Sequence, residues 1–82
     1  MDEALEKEKY KNIKYRLNII SNKLENLMDD IDNVKKTSKN TLLIDDKVYN
    51  EEEINEIKNK IDSIISTIDN DIIYSINQKI NQ

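Results

Sequence analysis

YKNIKYRLNIISNKLENLMDDIDNV, residues 10–34, carries the pattern on which the fold turns. Tyr10, Leu17, Leu24 and Ile31 stand seven apart, and Ile13, Ile20, Leu27 and Val34 stand seven apart between them. Apolar steps alternating between three and four are those of a helix that buries one narrow seam against another helix. Upstream the pattern fails, because Glu3 and Glu6 occupy the next two seam positions. A first helix is therefore expected over about 3–37, with residues 1–9 frayed or projecting past the packed region.

The second half repeats the pattern. Ile54, Ile57, Ile61, Ile64 and Ile68 follow the same three-four steps, after which Ile72, Ile76 and Ile80 recur every four residues. Drift toward four-residue steps predicts a straighter or right-drifting helix, expected over about 50–81. The two helices match in length at roughly 45–50 Å each, so an antiparallel hairpin is expected. Its seam would hold the eight first-half residues above together with Ile54, Ile57, Ile61, Ile64 and Ile68. Beside the seam, Ile19 and Met28 on the first helix and Ile65 and Ile73 on the second widen the apolar stripe. A stripe broader than a two-column seam implies contact with more than one neighbour. Ile19, Met28, Ile65, Ile72, Ile73, Tyr74 and Ile76 are accordingly expected to face a partner, Tyr74 because exposed tyrosines favour interfaces.

Between the helices lies TLLIDDKVYNEEEI, residues 41–54, which lacks both Gly and Pro. Asn50 suits an N-cap, and Glu53 three residues on completes a capping box. Tyr49 and Ile54 then have the spacing of a hydrophobic staple across the helix start. Asn40 tolerates the left-handed conformation that ends a helix without glycine, and Asp45-Asp46 marks a tight turn. Residues 38–49 are read as an extended apolar and acidic cap over the end of the hairpin. The expected fold class is all-α, one domain spanning 1–82 that completes a bundle with a partner.

Composition narrows the function. In 82 residues there is no Cys, His, Gly, Pro, Trp or Phe, and charged residues make up 37%. Thiolate and imidazole chemistry are thereby excluded, as are glycine-rich phosphate loops and Ser-His triads. Asp29, Asp30 and Asp32, and Asp69 and Asp71, fall at helical spacings without the glycine of a calcium loop. The expectation is no enzyme, no cofactor and no metal centre. Lys and Arg nearly balance Asp and Glu up to residue 40, and the net charge of −4 arises in the second half. No basic face for nucleic acid emerges. The longest apolar runs fall far short of the ~18 residues of a membrane span, and the start is not that of a cleavable signal peptide. The chain is expected to be cytoplasmic as made, with export by a signal-less route possible.

A helical hairpin of this length, acidic and paired along one seam, resembles the small proteins of bacterial type VII secretion, both WXG-like hairpins and the partners of LXG toxins. The segment from Leu43 to Ile80, with I-D-D-K-V-Y-N-E-E-E-I at its start and D-I-I-Y-S-I-N-Q-K-I at its end, carries the likeness to the LXG partners. The chain departs from the WXG pattern in having no Trp-x-Gly at the tip, and its Tyr-x-x-x-Glu at Tyr49–Glu53 opens the second helix instead of following it. The resemblance implies a targeting or chaperone-like subunit that binds the helical N-terminal domain of a toxin in a Gram-positive bacterium. Two rival functions are a self-associating four-helix bundle and a small acidic inhibitor of an enzyme.

Overall fold

A computed structural model describes residues 3–81. Helix α1 spans Glu3–Thr37, strands β1 and β2 span Leu42–Ile44 and Lys47–Tyr49, and helix α2 spans Glu51–Ser66. A π-helical turn at Thr67–Ile72 then leads without a break into helix α3, Ile73–Ile80. The chain is mostly helical, with two helical arms and one small antiparallel strand pair. It is 56 Å long and about 18 by 17 Å across.

α1 runs for 35 residues without a breaker, with Glu3 and Glu6 in its first turn and Lys35 and Lys36 in its last. Each charge cluster suits the partial charge of its helix end. Residues 3–9 are helical; residues 1 and 2, where fraying was also expected, lie outside the described residues, as does residue 82. At the C-terminal end the Asn40 amide donates to the Lys35 carbonyl at 2.9 Å, the six-to-one bond of a Schellman ending. Both Lys39 (φ 55°) and Asn40 (φ 64°) are left-handed. The lysine was not foreseen in that conformation, which costs a residue with a Cβ about 1–2 kcal/mol.

The connection differs from the extended cap that the sequence suggested. Leu42 pairs with Tyr49, Leu43 with Val48 and Ile44 with Lys47, joined by Asp45 (φ 49°) and Asp46 (φ 65°). Two left-handed residues in a two-residue loop make the type I′ geometry that matches strand twist. Aspartate reaches it in place of glycine because its short polar side chain tolerates that region. Alternation sends Leu42 and Tyr49 toward the helices, where Leu42 is buried and Tyr49 half-buried, and leaves Leu43 and Val48 exposed. The strand pair closes the end of the molecule with only half of its aliphatics.

α2 opens on the capping box. The Glu53 amide donates to Asn50 Oδ1 at 2.9 Å, and the Asn50 amide donates to Glu53 Oε1 at 3.2 Å. Ile54, in the first turn, is fully buried and Tyr49 packs against the cluster that contains it. Beyond Ser66 the helix widens, and the Ile73 amide donates to the Ile68 carbonyl five residues back. The second arm was expected as one regular helix; it holds this extra residue instead.

Contacts between the arms run in opposite senses. Lys35 pairs with Glu51 at 3.5 Å, Lys58 donates to Asp32 at 2.6 Å, and Ser21 donates to Asp69 at 2.9 Å. Farther on, Lys79 lies beside Glu3, Glu6 and Tyr10. Ile31, Leu42, Ile54, Ile61 and Ile65 form the core at the strand-pair end, with Leu24, Met28, Tyr49 and Ile57 packed around them. Toward the other end the hydrophobic residues as deeply buried are, among the described residues, Ile68 and Ile76.

Candidate partner-binding face

The expected seam divides in the structure. Of its first-helix residues, Ile31 is buried and Tyr10, Leu17 and Leu24 are half-buried against the second arm. Ile13, Ile20, Leu27 and Val34 are instead 42–46% exposed. The inward positions between Tyr10, Leu17, Leu24 and Ile31 belong to Lys14, Ser21, Met28 and Lys35, each one residue later than expected. α1 is rotated so that this second column faces its neighbour.

The physical reason lies in what that column can do without large aliphatics. Ser21 is small enough for close approach, and its buried hydroxyl is satisfied by Asp69. Lysines bury their aliphatic stems while their ammonium groups reach the edge, and Lys35 ends its reach on Glu51. No buried side-chain nitrogen or oxygen among the described residues lacks a partner, so the polar inward column costs no orphaned group.

On the second arm Ile54, Ile61 and Ile68 are buried and Ile57 is half-buried, while Ile64 is 49% exposed. The residues expected to face a partner divide as well. Ile65 and Ile76 are buried, and Met28 and Ile73 are half-buried, so these four belong to the contact between the arms. Ile19, Ile72 and Tyr74 remain exposed. The π-helical turn explains the exchange of Ile72 for Ile73: a five-residue step from Ile68 turns Ile73 inward, where regular four-residue spacing would have placed Ile72.

The aliphatics released from the seam gather on one side. Near the strand pair, Leu27, Val34, Ile44 and Ile57 line an open groove of about 290 Å³ over Ile31, Leu42 and Ile61, with Asp30 at its edge. Farther along, Ile64, Ile68 and Ile72 line a second groove of about 260 Å³ with Ser63 and Thr67. Ile57 and Ile64 are seven apart, as are Leu27, Ile20 and Ile13, so both grooves and both columns lie along one side of the molecule. Across the arms from it, Glu25, Asp29 and Asp62 surround Met28 and Ile65. One side of the rod is aliphatic; the other carries this acidic patch.

The buried Ser21 hydroxyl donates to the exposed Asp69 in a partly buried contact, which fastens the arms together. Lys58, hydrogen-bonded to Asp32, holds that carboxyl below its ordinary value, with Lys35 and Lys36 adding to the effect. Among the described residues no group of three or more Asp, Glu, His or Cys is placed to hold a metal ion. Nor, among the described residues, is any helix long and apolar enough to cross a membrane. No protein-family model, curated protein or solved structure matches the chain.

The role of Ile64 and Ile44 in the open side was missed in the sequence, where the first was assigned to the seam and the second to the cap. The signal that bore on it was Ser21, a small polar residue that sits inward with its hydroxyl satisfied by Asp69 of the other arm.

Proposed function

We propose that this chain is a non-enzymatic protein–protein interaction module: its two arms act as a helical hairpin that completes a bundle with another protein. One observation carries the reading. Ile13, Ile20, Leu27 and Val34 keep a perfect seven-residue spacing yet remain 42–46% exposed, beside an equally open Ile64. Scattered surface aliphatics need no explanation, whereas a contiguous column lined by grooves marks an interaction surface. A heptad column is the form in which one helix presents itself to another.

The resemblance to type VII secretion proteins supports a particular partner, the helical N-terminal domain of an LXG-type toxin. The module would then be made in the cytoplasm, cover the toxin's apolar helices and escort it to the export machinery.

Titration calorimetry against the LXG domain encoded in the same genome tests this reading. Tight binding is expected, and the double variant Leu27→Asp, Ile64→Asp should lose at least ~100-fold in affinity, as truncation of central interface anchors does. Undiminished binding by that variant would contradict the assignment of the face.

A further inference from the structure

The apolar side has an uneven electrostatic border. Lys9, Arg16 and Lys23 lie four residues before Ile13, Ile20 and Leu27 in turn, so each cation sits over the outer edge of the aliphatic column. Lys9 and Arg16 directly flank Ile13. On the second arm Lys60 lies between Ile57 and Ile64, three and four residues from them, and so borders the same side. All four cations are exposed, and among the described residues none is engaged in an ion pair. Acids stand at the two ends of this border: Asp30 edges the groove by the strand pair, where Glu53 is occupied by Lys47 and the Asn50 cap, and Glu6 heads the column seven residues before Ile13.

A second copy of the chain does not complement this surface. Its own aliphatic column carries the same cations, so a symmetric contact of arm against like arm would oppose lysine to lysine. The acidic patch on its other side offers the right charge but no open aliphatic column, because Ile65 is buried and Met28 half-buried there. Apolar stripe and negative border must come together from elsewhere.

We propose that the face takes an amphipathic helix of a different protein, one whose apolar stripe is flanked by Asp and Glu along the part that lies over Ile13 to Leu27. This deepens the partner-binding reading and rests on it. The aliphatic columns supply the contact area, and the cations select the partner and set the direction in which its helix lies.

Two synthetic helices test the charge rule without knowledge of the natural partner. Each has about 28 residues, ~42 Å as a helix, with the same Leu/Ile stripe at three-four spacing. One carries Glu and the other Lys along both flanks. Titrated into the full chain at about 50 mM salt, the Glu-flanked peptide should bind at least ~10-fold tighter, and the gap should shrink at about 500 mM as screening sets in. The triple variant K9E/R16E/K23E should reverse the preference. Equal or tighter binding of the Lys-flanked peptide, or no binding of either, overturns the proposal.

The double variant Ile20→Asp, Leu27→Asp separates the two levels of the argument. If it abolishes binding of both peptides while charge preference is missing, the charge rule falls and the apolar face stands. If both peptides bind it as well as wild type, the face itself falls. Sedimentation of the chain alone completes the test: a dimer dissolved by the same two substitutions would assign the face to a second copy and overturn the proposal.

Discussion

The half of the rod next to the strand pair and the half beyond Ser21 hold together in different ways. In the first, the core residues Ile31, Leu42, Ile54, Ile61 and Ile65 come from three elements, and Leu42 covers the end of the seam. In the second, one inward column of α1 offers Lys7, Lys14 and Ser21 beside the half-buried Tyr10 and Leu17, and the buried aliphatics among the described residues are Ile68 and Ile76. One half is a small core; the other is a two-helix contact with polar residues in its seam. Stability should therefore concentrate near the strands, while the far half depends on correct alignment and on a neighbour. The π-helical turn lies where these regimes meet.

The largest test of this contrast is a pair of deletions. Removing exposed Asn59 from the regular part of α2 rotates everything after it by ~100° and misaligns the core columns. Loss of cooperative unfolding is expected by circular dichroism. Removing exposed Asn70 from the π-helical turn should instead restore a four-residue step and leave Ile73, Ile76 and Ile80 inward, with the protein still folded. An unfolded Asn70 deletion would show that the wide turn is needed for more than accommodating one residue.

Single truncations sharpen the same comparison. Ile54→Ala empties a fully buried site and should cost toward the upper end of the ~2–5 kcal/mol range for large-to-small core changes. Ile76→Ala, in the thinner half, should fall at or below the lower end. Urea unfolding of both variants measures the difference, and equal losses would remove the distinction between the halves.

The smallest effect concerns acid. The Lys58 hydrogen bond lowers the Asp32 carboxyl relative to the unfolded chain. A lowered carboxylate contributes stability that is fully present above its unfolded value, about 3.9, and that is lost as pH falls through its folded value. Between pH 6 and pH 3 the wild type should therefore lose slightly more stability than Asp32→Asn. Because Asp32 is half exposed, screening keeps the difference small. Identical acid profiles would show that the pair is electrostatically idle.

Much of this architecture is legible in the sequence because helix signals are local. The absence of breakers, the acids of the first turn and the lysines of the last bound α1, and N-x-x-E at Asn50–Glu53 sets the start of α2. The strand pair was obscured because Asp45-Asp46 performs a turn usually marked by glycine, although L-L-I and K-V-Y around a two-residue gap carry the pattern. The rotation of α1 was hidden for a different reason. Periodicity ranks columns by apolarity, and the apolar column Ile13, Ile20, Leu27 and Val34 outranks Lys14, Ser21, Met28 and Lys35. Which column meets the neighbouring arm depends on Ser21 and on the Asp69 that satisfies it, a partner 48 positions away. The doublet Ile72-Ile73 likewise leaves open which isoleucine turns inward until the wide turn selects the second.

The rotation is the claim on which the partner-binding face depends, and urea unfolding of Leu27→Asp beside Ile61→Asp tests it most directly. Leu27 on the open side should tolerate the carboxylate, with stability changed by less than ~1 kcal/mol, whereas buried Ile61 should lose several times that or fail to fold. A loss at Leu27 as large as that at Ile61 would place Leu27 between the arms and contradict the account.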